Sequence, residues 1–462
     1  MMLMSNSVNR VYCLETRISN RDAEYFKQYI PEFDQLCRRI WQDLKHGVKA
    51  DSKYVTELCH RYGFMKRTVN SALHQMKGRA NALRRLSKTQ IYEKKSKVKA
   101  LESKIEDITL DINLMKGQVA KNPNNKDLIQ RYKNKKKRRY GWQQRKIRFE
   151  NNIKRFENDP LACYNLCFGS KHEFRKQYNL DKNGYKTHEK WYNDFCKLRD
   201  RQAYYLGSSD EKCGNQQCQL IYNEETDRFM LKVRKENKWC DESLGRNDNY
   251  VWLDIDFKYR RDMLIQALKD SKALTYTITR KGRKWYIDVA INQECEIVTD
   301  ESNGCVGLDY NNGFIALTET DNYGNIVHTE TIRLCNHGTG GKAKAELSEK
   351  ISKIVRYARD RNKAISIENL EFRKIKAQQM KNGKRAYNKM LHLLDYGRYK
   401  QLCIDYSATY GVKLIFVNPV YTSKIGKQKY MNSLKLSVHK AAAYVIARRG
   451  QGYTDEYIEN VA

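Results

Sequence analysis

The chain has little proline, four in 462 residues, and only 24 glycines. A composition so sparse in breakers excludes a linker-rich or low-complexity chain. It lacks any apolar run near the ~20 residues that a membrane span needs. Its opening, MMLMSNSVNR, turns polar at once and carries no signal-peptide pattern. No membrane partner is expected. Thirteen Cys without a secretory signal read as reduced thiols of a cytoplasmic protein, not as a disulfide framework. Cys213, Cys218 and Cys240 do not have the spacing of a standard zinc knuckle.

Acids are also scarce. Asp plus Glu is 54 against 88 Lys plus Arg, a net charge of +34. A compact body with that excess repels itself unless a polyanion neutralises it. Each phosphate it neutralises releases counterions. Nucleic acid is the natural partner, which adds nucleoid association to the cytoplasmic expectation. At roughly 100–200 residues per domain, the length suggests about three domains.

Residues 9–20 alternate polar and apolar and predict a strand, and helical sequence follows over 21–85. Ile91, Val98, Leu101, Ile105, Ile108, Ile112 and Met115 then form an a/d seam. Its bland reading, packing against a partner helix, is preferred to dimerisation. The turn KNPNN (121–125) ends it, and a second helix is predicted over 126–157, giving an antiparallel hairpin. That second arm carries Lys135, Lys136, Lys137, Arg138, Arg139, Arg145, Lys146 and Arg148, with Trp142 among them. Few acids accompany them, and like charges at i,i+4 destabilise a bare helix. They are expected to bind phosphates.

Residues 160–300 read as strands and hairpins, including LACYNLCFGSKHEF, CQLIYNEETDRFMLKVRKE, YVWLDIDF and ALTYTITRKGRKWYIDVAIN. With 9–20 they could close a small barrel into which the helical hairpin is inserted. From 300 the predicted order is βββαβαβα, with strands at 305–310, 364–370 and 412–419 and a last helix at 436–450. Three antiparallel strands followed by parallel αβ units is the order of the RNase H-like fold, although many α/β folds share parts of it. The expected class is an α+β multidomain chain ending in an α/β domain.

Asp309 ends the first of these strands and Glu368 the fourth. Two carboxylates at one sheet edge repel unless a cation lies between them. Divalent ions with oxygen ligands are the usual solution. Two ions, Mg²⁺ or Mn²⁺, would stabilise both the attacking and the leaving oxygen of a phosphodiester displacement. No Asp or Glu occurs between Asp405 and Asp455, so a third ligand from the last helix falls to His439. A nitrogen ligand favours Mn²⁺ over an all-oxygen site. Arg373 and Lys374 after Glu368, Lys424, and Arg448 with Arg449 on the last helix are further candidates for nucleic-acid contact. For the Arg pair, interaction with the helix dipole is an equal alternative.

The segments VGLDYNNGFIAL, SIENLEFRK, VNPVYTSKIG and SVHKAAAYVIARRG resemble the three RuvC segments of transposon-encoded TnpB proteins and compact type V CRISPR effectors. The resemblance is specific over about 304–450 and looser before it. It implies an RNA-guided DNA endonuclease whose partners are a guide RNA and double-stranded target DNA. It also implies a wedge-like β-barrel (1–20 with 160–300), an inserted helical recognition lobe (21–159) and a RuvC-like nuclease domain (301–462). Asp309 matches the family's first catalytic acid and Glu368 its second.

Two departures stand out. After Tyr421-Thr422-Ser423 the stretch KIGKQKYMNSLKL has no cysteine, so the family's zinc ribbon is absent or reduced to a short basic loop. The family's third Asp is matched by His439 in HKAAA. The alternatives are a nuclease-inactive RNA-guided DNA-binding repressor and, less favoured, a transposase or junction resolvase. Monomer and homodimer stay open.

Overall fold

Strand alternation decides which side chains of the last third meet. In the computed structural model, which describes residues 7–164, 166–240, 249–335, 340–370 and 395–456, the chain divides into two compact units. One comprises Met1–Arg10, Lys99–Asp111 and Glu294–Ala462; the other comprises Val11–Val98 and Ile112–Gln293.

The second unit holds most of β1 (Ser7–Ile18) and the helices α1 (Glu24–Lys45) and α2 (Ser52–Tyr62). It also holds much of α3 (Lys66–Lys121) and all of α4 (Lys126–Asn158). The predicted hairpin is present: Lys94 lies over the Phe156 ring, Lys95 pairs with Glu157, and Lys97 lies over Phe149. The seam residues Leu101, Ile108 and Ile112 are buried. Asn125 caps α4, its side chain accepting from the Leu128 N–H at 3.0 Å.

The predicted strands of the middle region occur except one. The described residues of 161–174 do not form a strand; 166–170 turn irregularly into the short helix α5 (Lys171–Arg175). Ser170 caps that helix, and the Trp191 indole of α6 (His188–Arg199) donates to the Glu173 carbonyl. Packing of Phe174 on Trp191 and Phe195 decides the local structure there, which apolar alternation alone did not reveal.

A closed barrel does not form among the described residues. β1 joins β7 (Lys284–Glu296), β6 (Leu274–Lys281) and the four-residue β2 (Gln202–Tyr205) in one open sheet. The strands β3 (Cys218–Asn223), β4 (Arg228–Arg234) and β5 (Tyr250–Ile255) form a second. Closure requires the outer edges, β1 and β2, to pair further, and the sheet order ends at both. The helix α7 (Arg261–Lys269) separates β5 from β6. No cysteine is in a disulfide; Cys218 is buried in β3. No helix among the described residues is long and apolar enough to cross a membrane.

The first unit is built on a five-stranded sheet in the order β10-β9-β8-β11-β12. Here β8 is Asp300–Asn311, β9 Phe314–Thr320, β10 Ile326–Arg333, β11 Lys363–Glu368 and β12 Leu414–Val417. β8, β9 and β10 pair antiparallel; β8, β11 and β12 run parallel. That is the RNase H-like order. The turn between β9 and β10 is fixed by Asp321, whose carboxylate accepts the N–H groups of Tyr323 and Asn325.

The two faces of this sheet differ. Val306, Leu308, Ile365 and Ile367 pack against α8 (Gly341–Asp360) and α9 (Tyr396–Tyr410). Cys305 and Ala364 pack against Ala447 of α11 (Val438–Gly450). A short helix, α10 (Thr422–Ile425), runs into a π-turn at Gly426–Met431, so the stretch expected to be a loop is wound.

The helix α11 lies unusually close to β8. A Cβ on Gly307 would fall 2.1 Å from the Ala443 carbonyl oxygen and 2.5 Å from the Ala447 nitrogen. Glycine on the strand and alanine on the helix are thus a single packing requirement. Gly307→Ala should therefore lower unfolding stability by ~1–3 kcal/mol, the usual cost of overpacking a dense core. Urea unfolding of the purified variant checks this; an unchanged midpoint would show that α11 is not seated on β8.

Candidate active site and nucleic-acid interface

Parity along the strands puts the two candidate acids on the α11 face. Asp309 shares its side of β8 with Cys305 and Gly307, and Glu368 shares its side of β11 with Ala364 and Ser366. The Ser366 hydroxyl donates to the Ile446 carbonyl of α11. The last registered pair of the parallel ladder is Ile367 with Leu308. One residue further along come Glu368 and Asp309, at the carboxyl ends of adjacent strands, where ligands gather in open α/β sheets.

The Glu368 carboxyl is pushed up to about 7. Burial is the main cause, and the charge of Asp309 adds to it; a hydrogen bond from Thr422 and the charge of Arg449 act the other way. Thr422 is buried and its hydroxyl donates to Glu368 Oε1. Tyr421, just before it, sits at φ 62°. Such a left-handed conformation is costly for an aromatic residue. It turns the chain from β12 into α10 and delivers Thr422 to Glu368.

Asp309 is held from two sides. Asn311 Nδ2 donates to Asp309 Oδ2 at 2.8 Å. His439 Nδ1 lies 3.1 Å from the same oxygen and donates to it. That hydrogen bond raises the imidazole above its ordinary 6.5. His439 stands in the first turn of α11, whose N-cap Ser437 accepts from the Lys440 N–H. The Phe314 ring meets the imidazole edge-on, 4.9 Å between centroids.

The donor chemistry of the acidic pair fits a divalent cation. Two neighbouring carboxylates, one partly desolvated and raised by the other, gain from a hard positive charge between them. Among the described residues, however, no three His, Cys, Asp or Glu side chains are grouped to hold an ion. His439 is here the hydrogen-bond partner of Asp309.

The remaining candidates separate into groups. Lys136, Lys137, Arg138, Arg145 and Arg148 are exposed on α4, with Lys135, Arg139, Trp142 and Lys146 half-buried. Arg138 lies over the Trp142 ring at 4.9 Å and Lys136 over Tyr132 at 5.0 Å. Lys146 has Glu150 at 3.6 Å. Lys424 lies over the Tyr421 ring at 5.1 Å. Arg448 is occupied inside the fold: it pairs with Asp455 at 3.1 Å and lies over the Tyr453 ring. Arg449 donates to the carbonyls of Asn418 and Val420, which places its charge beside Glu368. Arg373 and Lys374 lie outside the described residues. Sequence reasoning missed Thr422 and Asn311 as partners of the acids. The Thr-Ser step and the Asp-Tyr-Asn run were the available signals.

No family model matches the sequence, and no curated protein matches it. Solved structures similar to this chain do exist. A Cas12f1–sgRNA–target DNA complex aligns over 96% of this chain and 99% of its own, at 11% identity and a TM-score of 0.38. A Cas12i–crRNA–dsDNA complex aligns over 78% of this chain and 64% of its own, at 11% identity and TM-score 0.30. T. thermophilus RuvC with a Holliday junction substrate aligns over 31% of this chain and 88% of its own, at 14% identity and TM-score 0.22.

The raised Glu368 makes a signed prediction. Its folded carboxyl keeps a proton to about 7, whereas an unfolded one loses it near 4.5. Stability tied to this group is therefore lost as pH rises through that window. Without divalent ions, Glu368→Gln should stabilise the protein at pH 8 by ~1–3 kcal/mol and change nothing near pH 4. Thermal unfolding at the two pH values measures it; equal effects at both would refute the assignment.

Proposed function

We propose that this chain is an RNA-guided, divalent-metal-dependent DNA endonuclease that hydrolyses target-DNA phosphodiesters. The observation that carries the reading is the meeting of Asp309 and Glu368 at the ends of adjacent parallel strands, with His439 of α11 hydrogen-bonded to Asp309. Asp309 and Glu368, with His439, would hold two ions, Mg²⁺ or Mn²⁺. When bound, these supply charge stabilisation for the attacking and leaving oxygens. The protein's own groups prepare the place. Asn311 and His439 orient the Asp309 carboxylate, and Thr422 orients Glu368. Arg449 tempers the Glu368 charge.

The exposed cations of α4 serve guide RNA and duplex DNA as phosphate contacts. Residues 1–20 with 160–300 act as the wedge-like part, 21–159 as the recognition lobe and 301–462 as the nuclease. A cytoplasmic, nucleoid-associated life follows from these partners.

A second reading is guided binding without cleavage. One observation favours it: His439 stands where a third acid is expected, and its Nδ1 is engaged with Asp309.

The two separate on one experiment. The protein is purified with co-expressed RNA and given guide-matched duplex DNA with Mg²⁺ or Mn²⁺. Cutting is expected, and Asp309→Ala or Glu368→Gln should reduce it on the order of 10³-fold, as loss of metal-borne charge stabilisation implies. His439→Ala should abolish cutting, while His439→Asp should retain it and shift preference toward Mg²⁺. Tight binding with intact DNA under both metals would select the repressor. Cutting of branched DNA without RNA would select a junction resolvase.

A further inference from the structure

The three-stranded sheet β3-β4-β5 buries one face and leaves the other outward. Phe229, Leu231, Val233, Leu253 and Ile255 are buried on the inner side. The register fixes what lies side by side on the outer side. Arg234 stands opposite Tyr250; Lys232 stands between Gln219 and Trp252; Met230 stands between Ile221 and Asp254. Trp252 is 42% exposed, Ile221 43% and Met230 46%. Three large apolar side chains exposed together on one small sheet are more than scattered surface residues.

The charges on this face say what would cover it. Lys232 Nζ lies 4.0 Å from the Tyr250 ring centroid and 5.0 Å from that of Trp252. Asp254, the acid of these rows, has Arg228 at 3.0 Å. The face is thus aromatic and cationic. A second copy of a +34 chain would meet like charge here. Duplex DNA keeps the faces of its bases inside the stack. Unpaired nucleotides offer both things the surface lacks: flat π-faces for the rings and phosphates for the cations. Tyr250 and Trp252, two apart on one strand, are ~6.8 Å apart along it, close to the reach of one extended nucleotide.

We propose that this outer face is a stacking platform for unpaired RNA, with Trp252 and Tyr250 as the base-stacking side chains and Lys232 as their cationic bridge. The Gln219 amide, beside Lys232 in the same row, supplies the donor and acceptor that a 2′-hydroxyl can meet. The platform rests on the proposed RNA-guided function only for its choice of RNA over DNA.

The test uses the full-length protein and fluorescent single-stranded oligouridylate, with oligothymidylate, duplex DNA and anionic vesicles as the other arms. Binding is followed by anisotropy across salt concentrations, or by sedimentation for the vesicles. Trp252→Ala should weaken oligouridylate binding roughly tenfold or more, the effect of losing one stack, and leave duplex binding unchanged. Trp252→Phe should restore most of it. Lys232→Gln should reduce the salt slope by ~0.7. If Trp252→Ala fails to fold, Tyr250→Ala carries the same expectation. Parental oligouridylate affinity in both alanine variants overturns the proposal. So does a loss confined to oligothymidylate or vesicles, or one equal on duplex DNA. Guided cleavage is scored in parallel: a protein that stacks RNA but never cuts removes the nuclease reading and leaves the platform standing.

Discussion

Strand parity brings two carboxylates together at one sheet edge, and the candidate site of the first unit depends on that juxtaposition. Asp309 and Glu368 lie on adjacent parallel strands whose other face is sealed by aliphatic side chains. Neither strand can slide by one residue without turning that apolar set outward. The acids are therefore held together by the same packing that makes the core. Burial, with the neighbouring Asp309 charge adding to it, raises the Glu368 carboxyl, and hydrogen bonds converge on both groups. In the proposed function a divalent cation would join the pair and offset their like charge. The proposed hydrolytic function follows from that electrostatic need.

The close seating of α11 serves the same end. Gly307 lets the helix backbone onto β8, and this brings the first turn of α11, with His439, to Asp309. Imidazole in place of a carboxylate changes the balance of the site. It donates to Asp309 instead of adding a third negative charge, so the ion-free protein is less self-repelling than an all-acid version would be. The positive excess elsewhere follows a different logic. On α4 it is spread along an exposed helix, as the proposed phosphate contacts require.

Much of this was legible in the residues. The apolar flanks of Asp309 and Glu368 announced buried strands with acids at their ends, and the βββαβαβα order gave the pairing. The KNPNN break located the hairpin turn. What was not legible depended on packing. Residues 161–174 alternate like a strand, yet Phe174 is claimed by Trp191 and Phe195. Among the described residues the expected barrel stays open: strand pairing ends at β1 and β2, a matter of edges that alternation does not encode. Arg448 read as a candidate for nucleic-acid contact, but Asp455 folds back and pairs with it. Thr422 and Asn311 were hidden because a short polar side chain has no periodic signature; only the positive φ at Tyr421 explains how Thr422 reaches its acid.

These acids are proposed to share divalent ions. Crystals of the RNA-bound protein soaked in Mn²⁺ and measured for anomalous scattering test it directly. Manganese peaks at the carboxylates of Asp309 and Glu368, lost in the Glu368→Gln protein, are the predicted result. Carboxylates bare of manganese at saturating concentration, with His439 still hydrogen-bonded to Asp309, would contradict it.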